Sequence, residues 1–194
     1  LIEFELFRRI RPCELVNEAW TRKDKHVRAP NVLRFIDRFN RASAWITTCV
    51  VSERDRKQRL ALIAYFIETA LHFKKLNNFN GVMEVLSGMA NSAVYRLRAT
   101  WAALPSKRQH QLDALQRMCA SSDNYKILRA YVTQAGAPCV PYLGIYLTDL
   151  MFIDSGNKDT LAAPRGGAEL INLRKARQVA RVVQSLMALQ RGQL

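Results

Sequence analysis

Arg56 to Phe73 reads RKQRLALIAYFIETALHF, and its spacing decides the fold class. Leu60, Ile63, Ala64, Ile67 and Leu71 recur at three- and four-residue steps, which places them on one face of an α-helix. Ser52 followed by Asp55 has the form of a capping box, so the helix is expected to start there. A second helix is expected over Glu169 to Gln190. There Leu173, Ala176, Ala180, Val183 and Met187 form an apolar stripe, with Arg174, Lys175, Arg177 and Arg181 mostly off it.

The same pattern predicts helices over Asn31 to Val51, Asn80 to Met89, Ser92 to Ala103, Lys107 to Cys119 and Asn124 to Ala135. Pro30 marks one start, and Pro105 with Ser106 marks a turn and another start. Two loops interrupt the series. Gly136 to Pro141 contains Pro138 and Pro141, and Gly156 to Gly167 contains Pro164, Gly166 and Gly167. Between them, Tyr142 to Ser155 is largely apolar and reads as a helix of about three to four turns. It would pair with Glu169 to Gln190 as a helical hairpin. No run of alternating polarity argues for a sheet, so the chain is expected to be all-α.

With 194 residues and 49% hydrophobic content, the chain can bury a core. Long apolar stretches occur, such as Ala61 to Phe73, but that one is broken by Tyr65, Glu68, Thr69 and His72, and none reaches the ~20 residues a membrane span needs. Leu1 to Ile10 carries Glu3, Glu5, Arg8 and Arg9, unlike a secretory signal. The chain lacks an initiator Met and is expected to be a fragment. Cys13, Cys49, Cys119 and Cys139 are too dispersed for a zinc site and read as buried free thiols of a cytosolic protein. The formal net charge is +14, which favours an anionic partner: nucleic acid, anionic lipid or an acidic protein surface. Zinc-finger spacing, RNP-like strands and Arg/Gly repeats are missing, so no nucleic-acid partner is expected.

The sequence has no GxxxxGK[ST] phosphate loop, no GxSxG elbow and no HExxH. His26, His72 and His110 are scattered, and the carboxylates lie mostly beside Arg or Lys. Covalent catalysis, a cofactor and a metal are therefore not expected.

Three blocks carry a family resemblance. The first is APNVLRFIDRFN, Ala29 to Asn40, running on to Trp45. The second is LNNFNGVMEVLSGM, Leu76 to Met89, followed by SAVYRL, Ser92 to Leu97, and then Thr100-Trp101. The third is PCVPYLGIYLTDL, Pro138 to Leu150. In order and spacing they resemble the catalytic domain of Ras-family guanine-nucleotide exchange factors, of the Son-of-sevenless type. Leu170-Ile171-Asn172 resembles the start of that family's second hairpin helix.

The resemblance implies a single orthogonal helical domain spanning 1–194, truncated at both ends, with a protruding hairpin over about 142–190. It implies release of GDP from a Ras, Rap or Ral GTPase without covalent chemistry. The hairpin would enter the nucleotide site and disrupt magnesium and phosphate contacts. It further implies a cytoplasmic protein recruited to the membrane that anchors the GTPase, with an anionic membrane surface as a second partner.

Residue by residue, the resemblance places an apolar pocket for the GTPase's second switch at Ile36, Met83 and Tyr142. The wedge residue that displaces magnesium falls on Met151. The acidic residue four positions later falls on Ser155, which departs from the Glu of Ras-specific members; Asp154 beside it, ~100° around the helix, is a further candidate for that site. Asn91, shifted by one from a polar position at Ala90, is a further expected contact, as are Asn80 and Asp149. Two other readings stay open. One is a GTPase-binding scaffold of the same fold without exchange activity, prompted by Ser155 and Ala90. The other is a basic helical domain that binds nucleic acid or membrane, prompted by the charge.

Overall fold

The computed structural model describes residues 2–162 and 168–192. Pro164, Gly166 and Gly167, expected in the second loop, lie outside the described residues. The chain is all-α, as its periodicity predicts. The helices are α1 (Ile2–Arg8), α2 (Lys25–Arg28), α3 (Pro30–Ser52), α4 (Arg56–Lys75), α5 (Phe79–Ala90), α6 (Ser92–Tyr95), α7 (Arg98–Ala102), α8 (Ser106–Met118), α9 (Ser122–Ala135), α10 (Leu143–Gly156) and α11 (Leu173–Ala188). A two-residue antiparallel ladder, β1 (Thr160–Leu161) with β2 (Leu170–Ile171), joins α10 to α11. Among the described residues, no helix is long and apolar enough to cross a membrane.

Two compact units form. One gathers both ends of the chain, Leu1–Phe35 and Leu143–Leu194; the other is Ile36–Tyr142. In the first unit Phe4, Phe7, Ile10 and Leu15 are buried, as are Leu186 and Leu189 of the C-terminal segment. The Gln190 side-chain amide donates to the carbonyls of Phe7 (2.7 Å) and Ile10 (3.0 Å), tying the two ends together.

Glu14 is wholly buried in this unit. Its carboxylate accepts from the backbone of Asn31 (2.8 Å) and Val32 (3.2 Å) and from the Asn31 side chain (2.7 Å). The first N–H groups of α3 have no partner within the helix, and Pro30 offers none. A remote carboxylate therefore caps α3 and places negative charge at its positive end. Glu14 also accepts from the Arg11 amide at 3.3 Å, a local cap on the short turn it belongs to, and its reach to α3, 17 residues on, is not announced by the sequence.

The second unit is organised by α3, α4 and α5. Its string LNNFNG has a physical reading from Asn77 to Gly81. Asn77 takes a left-handed conformation (φ 54°), which Asn tolerates better than most residues. The Asn78 side chain caps α5 by accepting from the Gly81 amide at 2.9 Å. The Phe79 and Asn80 amides donate to the Val140 carbonyl at 2.8 and 3.1 Å, and the Val140 amide donates back to Asn77. The second and third sequence blocks are thus joined by main-chain hydrogen bonds. A Cβ on Gly81 would lie 2.8 Å from the Phe73 ring, which accounts for glycine there.

Several boundaries differ from expectation. Helix α3 runs through Ser52, so Asp55 caps α4 instead, accepting from Gln58 at 2.8 Å. The expected helix from Ser92 to Ala103 is two short helices. The Trp101 indole donates to the Val94 carbonyl at 2.9 Å, satisfying an acceptor that continuous helix would have used. Asp123, Asn124 and Tyr125 take left-handed backbone angles, so Asn124 is not a regular helix start. Of the four thiols, Cys119 and Cys139 are buried, and burial pushes each up to about 12; Cys13 is exposed and Cys49 half-buried.

Helix α11 corrects a larger expectation. Its buried residues are Lys175, Val183 and Leu186, whereas Leu173, Ala176 and Ala180 of the expected apolar stripe are exposed. Ala176, Val179 and Ala180 instead line an open groove of about 800 Å³ with Pro12 and Val16.

Gly88 on α5 tests how tightly the second unit is packed. A Cβ there would stand 2.7 Å from the Ser43 carbonyl and 2.9 Å from Ile46 Cβ. Gly88→Ala is expected to cost about 2 kcal/mol net, because overpacking outweighs the gain in helix propensity. At this chain length that is a fall of roughly 4–8 °C in Tm by calorimetry. Gly156, where a Cβ would meet nothing within 4 Å, is the control, and Gly156→Ala should leave Tm unchanged or slightly raised.

Candidate functional site

The candidate wedge is the last turn of α10, in the first unit. Leu143, Ile145, Leu147 and Leu150 bury the body of this helix, but Met151 and Phe152 are 44% and 71% exposed. Ser155 is also exposed, four residues beyond Met151 and so on the same face. Its hydroxyl makes only a long contact, donating to the Phe152 carbonyl at 3.4 Å. The hairpin continues this pattern: Leu161, Leu170, Ile171 and Leu173 are all more than half exposed. Apolar side chains gathered in the open mark a surface that another macromolecule covers. Phe152, Leu161, Leu170, Ile171 and Leu173 were missed as candidates. The signal was present in α10, which is apolar all round although only part of it is buried.

Asp154 does not join that surface. Its carboxylate is 2.9 Å from Lys175 Nζ, and the two side chains are 15% and 11% exposed. The Asp159 carboxylate approaches the same ammonium at 2.7 Å, and the Lys175 amine reaches the Asp154 carbonyl at 3.5 Å. The hydrogen bond that Lys175 donates to Asp159, and then that to Asp154, hold the lysine above its usual value, against an opposing effect of burial. Asp159 is the shorter contact, but its side chain is 80% exposed, so water competes for it; the Asp154 pair is better shielded and is the one that fixes α11 on α10. Asn172 adds to the same joint. Its side chain caps α11 by accepting from Lys175 N at 3.1 Å and donates to the Lys158 carbonyl at 2.9 Å.

Asp154, a candidate site residue, is thus placed as the internal counter-ion of a buried lysine. Lys175 itself was read as lying off the packed face. Neither residue type, in a basic stretch, signals such a pairing without the fold.

The candidate pocket residues lie in the second unit, and Ile36, Met83 and Tyr142 are all half-buried. The Tyr142 ring packs against Phe39 on α3 (centroids 5.6 Å) and against Tyr125 (6.1 Å). Phe39 is one turn from Ile36 on α3, and Met83 is one turn from the residues that bond Val140 on α5. These contacts draw α3, the start of α5 and Tyr142 toward one place. Burial, reinforced by Tyr125, raises the Tyr142 hydroxyl above its usual value, so it stays protonated across the neutral range.

The remaining candidates differ in placement. Asn91 is exposed and caps α6, accepting from Ala93 N at 3.0 Å. Asp149 is half-buried on α10. Asn80 is buried, and its amide donates to Glu84 Oε1 at 3.1 Å inside the second unit. It is thus placed in an internal polar pair with Glu84.

The site is thus a helical hairpin locked by an ion pair, with an exposed apolar end. Comparison with known proteins gives this arrangement a family. The RasGEF domain model matches residues 1–177. The chain is 40% identical over 191 residues to Ras guanine nucleotide exchange factor W of Dictyostelium discoideum, covering 98% of this chain and 16% of that protein. It is 44% identical over 163 residues to Ras guanine nucleotide exchange factor E of the same organism, covering 83% and 16%. It is 35% identical over 183 residues to Protein son of sevenless of Drosophila melanogaster, covering 94% and 11%. The chain belongs to the RasGEF domain family. It spans about a sixth or less of the length of these relatives.

Replacing the buried ammonium tests the joint. Lys175→Met leaves Asp154 without its shielded partner and is expected to cost about 2 kcal/mol, below the range for a fully buried pair because both side chains keep some contact with water. Amide hydrogen exchange should quicken in the last turn of α10 and the first of α11, while α4 and α5 keep their protection. The stabilisation from a raised lysine is complete below its ordinary value of 10.5 and is lost as pH climbs through the higher folded one. The same protection should therefore hold through pH 7–10.

Proposed function

We propose that this chain accelerates release of guanine nucleotide from a Ras-family small GTPase by inserting the end of α10 beside the nucleotide. The observation that carries the reading is the exposed face of Met151, Phe152 and Ser155 on a helix locked by Lys175. GDP is held on such GTPases chiefly by phosphate and magnesium electrostatics. An apolar side chain placed against those contacts offers no ligand to the metal and excludes water from it. Tyr142, with Ile36 and Met83, would grip an aromatic side chain of the second switch, and Asn91 and Asp149 would contribute at the margin. Relatives named as Ras guanine nucleotide exchange factors support this reading.

The energetics follow from linkage. Tight binding of the empty GTPase and loose binding of nucleotide are one coupling free energy, and a ~10⁴-fold effect corresponds to ~5.5 kcal/mol. We infer further that exchange takes place at the membrane that anchors the GTPase, where the +14 charge favours an anionic surface. A second reading rests on Ser155, which brings a hydroxyl where Ras-specific members carry an acid. On that reading the domain binds GTPase without driving release.

Release of a fluorescent guanine nucleotide from Ras, Rap and Ral separates the two. Acceleration of any one supports exchange; binding of nucleotide-free GTPase with release unchanged supports the scaffold. Met151→Asp should slow release on the responsive GTPase by about 100-fold, the scale of a lost interface anchor. Its Tm should stay within about 2 °C of wild type, since the side chain is already exposed. Tyr142→Ala should weaken binding of empty GTPase by roughly 10- to 100-fold. Collapse of the fold on Met151→Asp would identify Met151 as core and remove the wedge assignment.

A further inference from the structure

The second unit holds a cavity of about 700 Å³ that neither the wedge nor the switch pocket uses. It lies where the C-terminal end of α4 meets the start of α8. Lys74 and Lys75 come from α4, Lys107 and Arg108 from α8, and His72 lines the same space. One carboxylate, Glu68, shares the lining with these four fixed cations.

Charge of one sign focused in a concavity raises the local concentration of anions. The helices themselves point the same way. Helix α8 begins with Lys107 and Arg108 in its first turn, with no acidic residue there and no side-chain cap. Cations at the positive end of a helix oppose the helix dipole, and folded proteins retain such local conflicts chiefly at functional sites. Two of the cations are already positioned. Arg108 donates to Glu68 at 2.7 Å and to Gln111 at 3.1 Å, which sets its guanidinium plane. The Lys74 ammonium sits 4.7 Å from the centre of the Tyr131 ring, which fixes it without neutralising it. Lys75 and Lys107 have no ion-pair partner among the described residues.

We propose that this cavity binds a small multiply phosphorylated polyol of the inositol-phosphate class. Each phosphomonoester carries about −1.5 to −2 charge at neutral pH, so two or more of them on a compact ring match four convergent cations. An extended acidic peptide would spread that charge along a chain instead of concentrating it. The Tyr131 face that could have stacked a base is taken by Lys74, which disfavours a nucleotide. The guanidinium of Arg108 suits paired phosphate oxygens, and the lysines act as point charges around it. Glu68 competes with the ligand for Arg108.

Calorimetric titration of the whole chain with inositol trisphosphate tests this, with inorganic phosphate as the weaker comparison. Binding is read directly and does not depend on exchange activity. The double variant Lys75→Glu/Lys107→Glu should weaken binding by at least about tenfold, since two of the four cations become anions that repel the phosphates. Arg56→Glu/Lys57→Glu, the same charge change at the opposite end of α4, should leave binding within about twofold. Glu68→Gln should tighten it severalfold by freeing Arg108, a gain that damage to the fold would not produce. Basal nucleotide release should be unchanged in all three variants.

Vesicles of phosphatidylcholine with phosphatidylinositol bisphosphate, set against phosphatidylserine vesicles of matched charge, distinguish the sources. Preferential binding to the first identifies a lipid headgroup, and binding of the soluble trisphosphate alone identifies a free inositol phosphate; either supports the site. No heat with trisphosphate at millimolar concentration overturns it. Equal loss in the Arg56/Lys57 control, or binding of a phosphopeptide but not of the trisphosphate, does so as well.

Discussion

One ammonium group holds the hairpin in shape. Lys175 is taken from water and placed between Asp154 and Asp159, and α11 is fixed to α10 through it. A wedge that must open another protein's ligand site cannot also spend binding energy on ordering itself. Apolar packing alone would hold α11 less specifically, because the face it turns outward, with Ala176 and Ala180, is also small and apolar. A buried charge pair has one partner and one register, and its use to specify an arrangement is better attested than its use to stabilise one. The stripe of alanine and leucine that looks like the packed side of α11 is therefore outward, and a residue from the basic run is inward.

The same logic, a polar contact that fixes where a helix begins, recurs in both units. Glu14 caps α3 from outside the helix, Asn78 and the Val140 carbonyl cap α5, and Asn172 caps α11. Each satisfies amides that a helix start leaves open. The result is that Tyr142, two residues past Val140, is set by the same hydrogen bonds that set the start of α5.

What was legible in the sequence divides along physical lines. Helix existence was legible because the 3.6-residue period runs through Arg56 to Phe73 and its counterparts. Boundaries were less so: Ser52 and Asp55 both have cap chemistry, and only the continuation of α3 chooses between them. The orientation of α11 was not legible, since Lys175 faces inward for the sake of carboxylates 16 and 21 residues away in sequence. Asn80 and Asp154 read as candidate contacts for the same reason. A polar side chain in an important block looks alike whether it faces a partner or an internal mate such as Glu84 or Lys175. Met151 and Ser155 were found through family resemblance, whereas the exposure of Phe152, Leu161 and Ile171 emerged only from the fold.

The pairing of Asp154 bears on how exchange would proceed. With that carboxylate tied to Lys175, the exposed end of α10 presents Met151, Phe152 and a neutral hydroxyl at Ser155, and no free acid among those three. A carboxylate near the phosphates could act by repulsion and by competing for the groups that hold them; a hydroxyl adds one hydrogen bond and no charge. On the proposed reading, most of the coupling must then come from apolar occlusion and from the grip on the switch. Occlusion does not titrate, while a carboxylate's contribution fades as it protonates. Nucleotide release driven by this hairpin should accordingly be flat through the pH range in which an acidic wedge loses its charge, and Ser155→Glu should restore a pH dependence there. A steep acid-side loss of release in the wild-type chain, under conditions where the GTPase keeps its nucleotide affinity, would return the role to a carboxylate and reopen the place of Asp154.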